Sequence, residues 1–303
     1  AVEAEGGKVL HFYSYCGGLP APENNDNPFG YKFSWSPRGV VLASRNSARF
    51  LEDGKIVEIE GKNLFLDPKV EEIEGLGTFE VYPNRDSVPY KEMYGLKDAL
   101  TVKRGTYRNL GWCETLKKIV DLGLVDETPR PGLKGITFKK MTADLVGCPA
   151  DAHVKEATAG KLGIAADSEI IGRLEWLGLF SDETVPEVGN HLDILSERMQ
   201  QKLFFKEGEK DLLVLRHRFI VENKDKTRDL IPSTLIDYGI PFGDSSMART
   251  VSLPMAIGTR LIADGRITMK GVLTPVHPEI YNPVLAELEP LNIKMVEKRI
   301  PQK

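Results

Sequence analysis

Residues 14–38 are the segment that most restricts how this chain can fold. They read Ser-Tyr-Cys-Gly-Gly-Leu-Pro-Ala-Pro-Glu-Asn-Asn-Asp-Asn-Pro-Phe-Gly-Tyr-Lys-Phe-Ser-Trp-Ser-Pro-Arg. Four prolines, three glycines and three asparagines in one run oppose both a helix and a central strand. The aromatic side chains between them are not typical of a disordered linker. We therefore predict an ordered loop that binds a ligand on a rigid scaffold.

The residues on either side of this run predict a mixed or antiparallel sheet with helices on it. Residues 8–16 are typical of a strand that leads into the loop. Ser36 and Pro37 form a helix start, and apolar positions then recur at helical spacing as far as Gly54. Further strands are predicted at residues 56–59 and 64–66, paired as a hairpin, and at residues 79–82 and 99–107.

From about residue 111 the apolar residues recur with helical spacing instead. Two helices are predicted over residues 112–123 and 137–146, and three more begin at the capping residues Asp151, Ser168 and Asn190. Strands are predicted again at residues 211–221 and 229–238.

This order of elements predicts an α/β (α+β) fold in three parts. Residues 1–110 and 206–243 form a discontinuous α/β domain, and residues 111–205 form an inserted all-helical subdomain. Residues 244–303 form C-terminal helices and a strand. In that last part Asp244-Ser-Ser caps a helix that is expected to kink or break near Val251, because Pro254 lies inside it.

Composition and charge exclude several classes of protein. The 303 residues are 41% hydrophobic and 28% charged, and the net charge of −4 gives no electrostatic case for nucleic-acid binding. No apolar run reaches the length of a membrane span, and no signal peptide opens the sequence. The three cysteines and five histidines show no metal-binding spacing, and the cysteine usage favours a reducing, cytoplasmic setting.

Several motifs together resemble the saccharopine reductases, the NADP-dependent, glutamate-forming saccharopine dehydrogenases of lysine metabolism. They are the run 14–38, Tyr82-Pro-Asn-Arg-Asp86, Thr106-Tyr-Arg-Asn-Leu-Gly-Trp112, and Asp237-Tyr-Gly239 followed by Ser246-Met-Ala248. The likeness covers nearly the whole chain. It implies NADPH-dependent reduction of the imine of L-glutamate and 2-aminoadipate 6-semialdehyde to saccharopine, with saccharopine and glutamate as small-molecule partners.

Saccharopine carries three carboxylates, so its site needs cationic donors, and arginine binds a carboxylate with two parallel hydrogen bonds. Arg85 and Arg108 each end a predicted strand or turn, where packing does not require arginine. The alternative is that both are surface arginines in solvated ion pairs. The resemblance assigns Thr106, Tyr107, Arg108 and Asn109 to substrate contact.

Cys16, Gly17, Gly18 and Leu19 are predicted to form the other side of the site, because glycines let backbone N–H groups approach a carboxylate. Cys16 is interpreted as a half-buried lining residue rather than a nucleophile, since no catalytic Cys-His-Asp arrangement accompanies it.

The resemblance places Tyr15, Ser36 and Pro37 near the nicotinamide end of the cofactor. Ser36 has an equally good interpretation as a helix cap.

The sequence contains no Gly-x-Gly-x-x-Gly motif. The opening residues, Ala1 to Gly7, are typical of the last turn of a helix. We therefore expect the Rossmann half, the main NADP(H) site and the catalytic acid or base to lie upstream of this chain, which alone is expected to be inactive. Residues 244–303 would then pack back on the nucleotide domain, or a second copy would cover them in a homodimer.

Two other functions stay open at this stage. One is a related NADP-dependent imine reductase, such as a carboxyspermidine-type dehydrogenase, whose polyamine substrate needs carboxylates opposite it. The other is a non-enzymatic regulatory module on the same fold.

Overall fold

The computed structural model describes residues 2–302, so Ala1 and Lys303, which the predicted regions include, lie outside the described residues. The described chain forms one mixed sheet with helices on both of its faces. The strands are Lys8–Pro20 (β1), Ala48–Glu52 (β2), Lys55–Ile59 (β3), Lys69–Ile73 (β4), Gly77–Pro83 (β5), Thr101–Asn109 (β6), Asp211–Glu222 (β7), Arg228–Tyr238 (β8), Val296–Glu297 (β9) and Ile300–Gln302 (β10). The helices are Pro37–Ala43 (α1), Tyr90–Met93 (α2), Trp112–Asp121 (α3), Phe138–Val146 (α4), Val154–Leu162 (α5), Glu169–Leu177 (α6), His191–Lys202 (α7), Ser246–Ala263 (α8) and Pro278–Leu288 (α9).

Strand β1 lies at the centre of the sheet, in the order β10-β8-β7-β1-β6-β2-β3. It pairs in parallel with β6 and antiparallel with β7, and β7 continues antiparallel to β8. Strand β5 pairs with the other part of β6 and carries β4. This mixed sheet confirms the predicted fold class. The helices α3 to α7 fall between β6 and β7 in the chain, but their separation as a subdomain (residues 111–205) stays a prediction.

The predicted loop starts later than the sequence indicates. Residues 14–20 continue β1, because β7 supplies an unbroken antiparallel partner as far as Pro20. Only glycine fits at position 17 of this strand, because a Cβ atom there would clash with the Cβ atom of Tyr107 at 2.7 Å. Pairing on the sheet therefore overrides the local composition, and the prediction that no central strand runs through this segment is wrong.

The helix predicted to run from Ser36 to Gly54 is also shorter. It ends at Ala43, and β2 then pairs with β3 through a turn at Asp53 and Gly54, whose φ angles are 49° and 79°. An Asp-Gly pair between two strands is a strong hairpin signal that the helical spacing obscured. The predicted hairpin of residues 56–59 with 64–66 is wrong for the same reason.

The predicted cap at Asp151 is wrong, because helix α5 starts at Val154 after His153. Pro254 lies inside α8 without ending it, since Ile257 and Leu261 beyond the proline belong to the same helix and are buried on one apolar cluster. A kink at this proline stays a prediction. The predicted caps Ser36, Ser168 and Asn190 are confirmed, because each side chain accepts a backbone N–H of its helix.

Two buried carboxylates fix where helix α8 begins. The Asp211 side chain accepts the backbone N–H groups of Ser246 (2.6 Å) and Met247 (2.9 Å) at the start of α8. Asp237 accepts the Ser246 hydroxyl at 2.6 Å and pairs with Arg249. The motif residues 237–239 and 246–248 thus hold α8 against the sheet.

Replacing Asp211 with Asn should lower the free energy of unfolding by about 1–3 kcal/mol, because an amide cannot accept both backbone N–H groups with its two terminal atoms. Urea unfolding followed by circular dichroism measures this. The matched control is Asp244→Asn, which removes the same charge from an exposed position beside the same helix. Equal stability of the two variants would contradict the anchoring role of Asp211.

Candidate functional site

A pocket of about 550 Å³ opens where β5, β6 and α1 meet. Three arginines and one carboxylate are among its lining residues, namely Arg85, Arg104, Arg108 and Asp86. Asp86 is already engaged, since its Oδ2 accepts a hydrogen bond from Arg49 and its Oδ1 accepts the backbone N–H of Val88. The pocket is therefore strongly positive.

The strand period of β6 explains which residues reach this pocket. Arg104, Thr106 and Arg108 occupy alternate positions and line it together. Tyr107 points to the opposite face, where its hydroxyl donates to Glu71 at 2.8 Å. The Asn109 side chain donates a hydrogen bond to the carbonyl of Gly30 at 2.6 Å and so holds the loop that contains Gly30 against β6. Of the four predicted contact residues in 106–109, two line the pocket and two support the surrounding structure.

Arg108 is a buried cation, only 5% exposed. Its guanidinium lies between aromatic rings, 4.8 Å from the Tyr31 centroid, 5.4 Å from Trp112 and 5.9 Å from Tyr82. One nitrogen donates to the carbonyl of Tyr107, whereas Nε has no hydrogen-bond partner. Among residues 2–302 Arg108 takes part in no ion pair, so an anion entering the pocket would meet a desolvated, preorganised cation.

Glu80 lies directly across from Arg108 in the sheet but does not neutralise it. Its two carboxylate oxygens accept the backbone N–H groups of Gly111 and Cys113, both at 2.8 Å. Glu80 thus satisfies the N-terminus of α3, where a carboxylate is favoured. The nearest cross-strand acid is committed elsewhere, which leaves Arg108 free for a ligand.

Arg85 lies at the exposed rim of the same pocket. Its φ angle of 52° is in the left-handed region, which is uncommon for any residue except glycine. The turn is held by Arg49, whose N–H donates to the Arg85 carbonyl at 3.0 Å and whose carbonyl accepts Ser87 at 2.7 Å. A strained backbone of this kind costs about 1–3 kcal/mol and is frequent at binding sites.

Arg104 and Trp35 line the pocket but were not singled out by sequence reasoning. The alternation of Arg104, Thr106 and Arg108 along one strand is the signal that could have identified Arg104. Trp35 also lines a neighbouring pocket of about 560 Å³, so it stands between the two.

The structure places the predicted backbone cradle at residues 16–19 within strand β1, and its contact with a ligand stays a prediction. None of these four residues lines the arginine pocket, and all lie in β1 with β7 as partner. Cys16 pairs with Thr106 and shares its face of the sheet, but Leu19 is buried in the core. Burial raises the pKa of the Cys16 thiol to about 11, so it is protonated at neutral pH.

The three residues predicted to contact the cofactor lie in two different elements, β1 and the start of α1. Tyr15 pairs with Gly105 and is buried on the face away from the arginine row. Ser36 accepts the N–H of Gly39 at 3.2 Å as the cap of α1, and Pro37 is the first residue of that helix. Their contact with a nicotinamide stays a prediction.

Within residues 2–302, no group of three or more His, Cys, Asp or Glu side chains is placed to hold a metal ion. Each helix within residues 2–302 is too short or too polar to span a lipid bilayer.

Alkylation of Cys16 by iodoacetamide at pH 8 should be about 100-fold slower than that of a thiol with an ordinary pKa, because each pKa unit removes tenfold of the thiolate. The rate should rise steeply as the pH approaches 11. Peptide mass spectrometry measures it, with the same cysteine in the urea-unfolded chain as the reference. Equal labelling of Cys16 in the folded and the unfolded chain at pH 8 would contradict the raised pKa.

Comparison with known proteins shows the same fold and related sequences throughout the chain. The family model of the saccharopine dehydrogenase C-terminal domain matches residues 1–292. The chain is 41% identical to saccharopine dehydrogenase [NADP(+), L-glutamate-forming] of Pyricularia oryzae, over 98% of the chain and 68% of that protein. It is 40% identical to the mitochondrial alpha-aminoadipic semialdehyde synthase of Bos taurus, over 94% of the chain and 31% of that protein. The structure of apo saccharopine dehydrogenase (L-Glu forming) from Saccharomyces cerevisiae superposes with a TM-score of 0.91 at 40% identity, over 99% of the chain and 69% of that structure. The chain belongs to the saccharopine dehydrogenase family.

Proposed function

We propose that this chain is the substrate-binding portion of an NADP-dependent saccharopine dehydrogenase. In the reductive direction, the enzyme would reduce the imine of L-glutamate and 2-aminoadipate 6-semialdehyde to saccharopine, and the reaction is reversible. The observation that carries the proposal is the buried guanidinium of Arg108, which has no anionic partner among the described residues and faces a pocket. The names and reactions of the similar proteins support it.

The pocket residues would orient the substrate and neutralise its charge. Arg108 at the base and Arg85 at the rim each bind a carboxylate, and the Thr106 hydroxyl adds a hydrogen bond between them. Tyr107 and Asn109 act indirectly, because they hold β6 and the loop around Gly30 in place.

The described residues do not fit the main part of an NADP(H) site. No helix between residues 2 and 302 is opened by the glycine-rich turn that binds a pyrophosphate. The cofactor supplies the hydride in the family reaction. The Cys16 thiol is a poor proton donor at neutral pH, because burial raises its pKa to about 11.

The alternative substrates fit the pocket less well. A polyamine imine would need carboxylates facing its ammonium groups, whereas Asp86 is the one acid among the lining residues and is held by Arg49. A purely regulatory module would give no reason for a desolvated, unpaired arginine at the pocket base.

Replacing Arg108 with Met should weaken saccharopine binding by about 2–5 kcal/mol, because a ligand carboxylate would be left without its partner. The same change should leave the free energy of unfolding unchanged or raise it by about 1 kcal/mol, since it removes a buried charge that the protein does not pair. Calorimetric titration and urea unfolding of the purified chain measure the two effects.

The matched control is Arg228→Met, which removes an exposed arginine that does not line the pocket. NADPH should show no saturable binding to either variant or to the unaltered chain. Unaltered saccharopine affinity of Arg108→Met, or micromolar NADPH binding to this chain, would refute the proposal.

We also propose that the chain forms a homodimer, with α8 and α9 as the contact. Val251, Met255 and Ile262 lie on one side of α8 and are largely exposed, Met255 by 67%, and Leu285 of the neighbouring α9 is exposed as well. An apolar surface of this kind is uncommon on a monomer.

Met255→Glu should shift a self-associating chain toward the monomer, because it places a charge in the proposed contact. Sedimentation velocity across a range of concentrations measures the mass. The control is Lys270→Glu, which makes the same kind of change at an exposed residue outside α8 and α9. A monodisperse monomer at high concentration for the unaltered chain would overturn the proposed contact.

The cytoplasmic location stays a prediction. The free thiols of the three cysteines support a reducing compartment, but the mammalian relatives are named as mitochondrial.

A further inference from the structure

Arg104 shares the pocket with Arg85 and Arg108 but is held differently. Its guanidinium carbon lies 4.4 Å from the ring centroid of Tyr90, and one nitrogen donates to the Tyr90 hydroxyl at 2.9 Å. No ion pair between residues 2–302 includes Arg104. The side chain is thus ordered by an aromatic ring and keeps its remaining N–H groups for another partner.

The backbone around Arg104 is fixed to the turn that carries Arg85. The N–H of Arg104 donates to the Ser87 hydroxyl at 3.0 Å, and its carbonyl accepts the N–H of Asn84 at 3.0 Å. Two hydrogen bonds therefore join residues 84–87 to β6. The spacing between the rim arginine and the strand arginines is set by the backbone rather than by flexible side chains.

The charge and the spacing of the three arginines match a ligand with several carboxylates. Along a strand, Arg104 and Arg108 are separated by about 13 Å between Cα atoms. Two guanidinium groups so placed suit different carboxylates of one linear molecule. With Asp86 bound to Arg49, no lining carboxylate is left to neutralise them.

We infer that Arg104 is a third carboxylate-binding residue, with Tyr90 as the residue that positions it, so that the pocket selects a tricarboxylate over its mono- and dicarboxylate halves. The inference rests on the proposed function, because it names how that same site distinguishes saccharopine from smaller amino acids. The three cations then correspond in number to the three carboxylates of saccharopine.

The test is calorimetric titration of the purified chain with saccharopine, L-glutamate and L-lysine, the last two supplying the dicarboxylate and the monocarboxylate halves. Arg104→Met should weaken saccharopine binding by about 10- to 100-fold. It should weaken the binding of either glutamate or lysine but not of both, because Arg104 binds one carboxylate. Arg104→Lys should restore part of the affinity, since it keeps the charge but not the planar fork.

Tyr90→Phe tests the positioning role. It keeps the stacked ring and removes the hydroxyl, so saccharopine affinity should fall by about 2- to 10-fold. Of glutamate and lysine, the ligand whose binding is weakened should be the same one as in Arg104→Met. Urea unfolding of each variant separates loss of binding from loss of folding, and Arg228→Met is the control for general charge.

The outcomes distinguish this inference from the proposed function. If Arg108→Met loses saccharopine binding and a folded Arg104→Met does not, Arg104 binds no carboxylate and the proposed function stands. If neither variant changes binding, the proposed function fails as well. The inference is overturned if Arg104→Met weakens the binding of glutamate and lysine equally, or weakens saccharopine binding no more than Arg228→Met does. Arg104 would then contribute only to the overall positive electrostatic potential of the pocket.

Discussion

The position of β1 between β6 and β7 is the constraint on which the rest of the structure depends. Its parallel pairing with β6 places Cys16 beside Thr106, and its antiparallel pairing with β7 continues to Pro20. Because β6 is held in register on this side, its alternate residues face one pocket. Asp211, at the start of β7, then fixes α8 on the sheet.

Burying Arg108 in the pocket costs folding free energy and leaves a cation available for an anionic ligand. A buried arginine without a carboxylate partner is unfavourable for folding, although its contacts with aromatic rings offset part of the cost. The cross-strand acid Glu80 could neutralise it, but this carboxylate satisfies the first N–H groups of α3 instead. A site that carries such a cost and a strained Arg85 turn is what a binding role requires and what packing alone does not explain.

Much of the fold could be predicted from local patterns, and the misses have identifiable causes. The caps Ser168 and Asn190 and the long strands β7 and β8 follow from side-chain chemistry close in sequence. The hairpin at Asp53 and Gly54 was missed because apolar residues happened to recur with helical spacing across it. The strand through Gly17 was missed because its stability comes from β7, about 200 residues later in the chain.

By itself, the sequence determined the mixed α/β class, the family, the change from strands to helices near residue 111 and back to strands near residue 211, and that Arg85 and Arg108 are candidates for ligand binding. These follow from local spacing, capping chemistry and motif identity, which are properties of neighbouring residues. Only the tertiary structure decided that Arg85, Arg104 and Arg108 share one pocket, that Tyr107 faces away from it, and that residues 16–19 are strand rather than loop. The physical reason is that strand register and the commitment of Glu80 and Asp86 to other partners depend on contacts between distant segments, which no local pattern encodes.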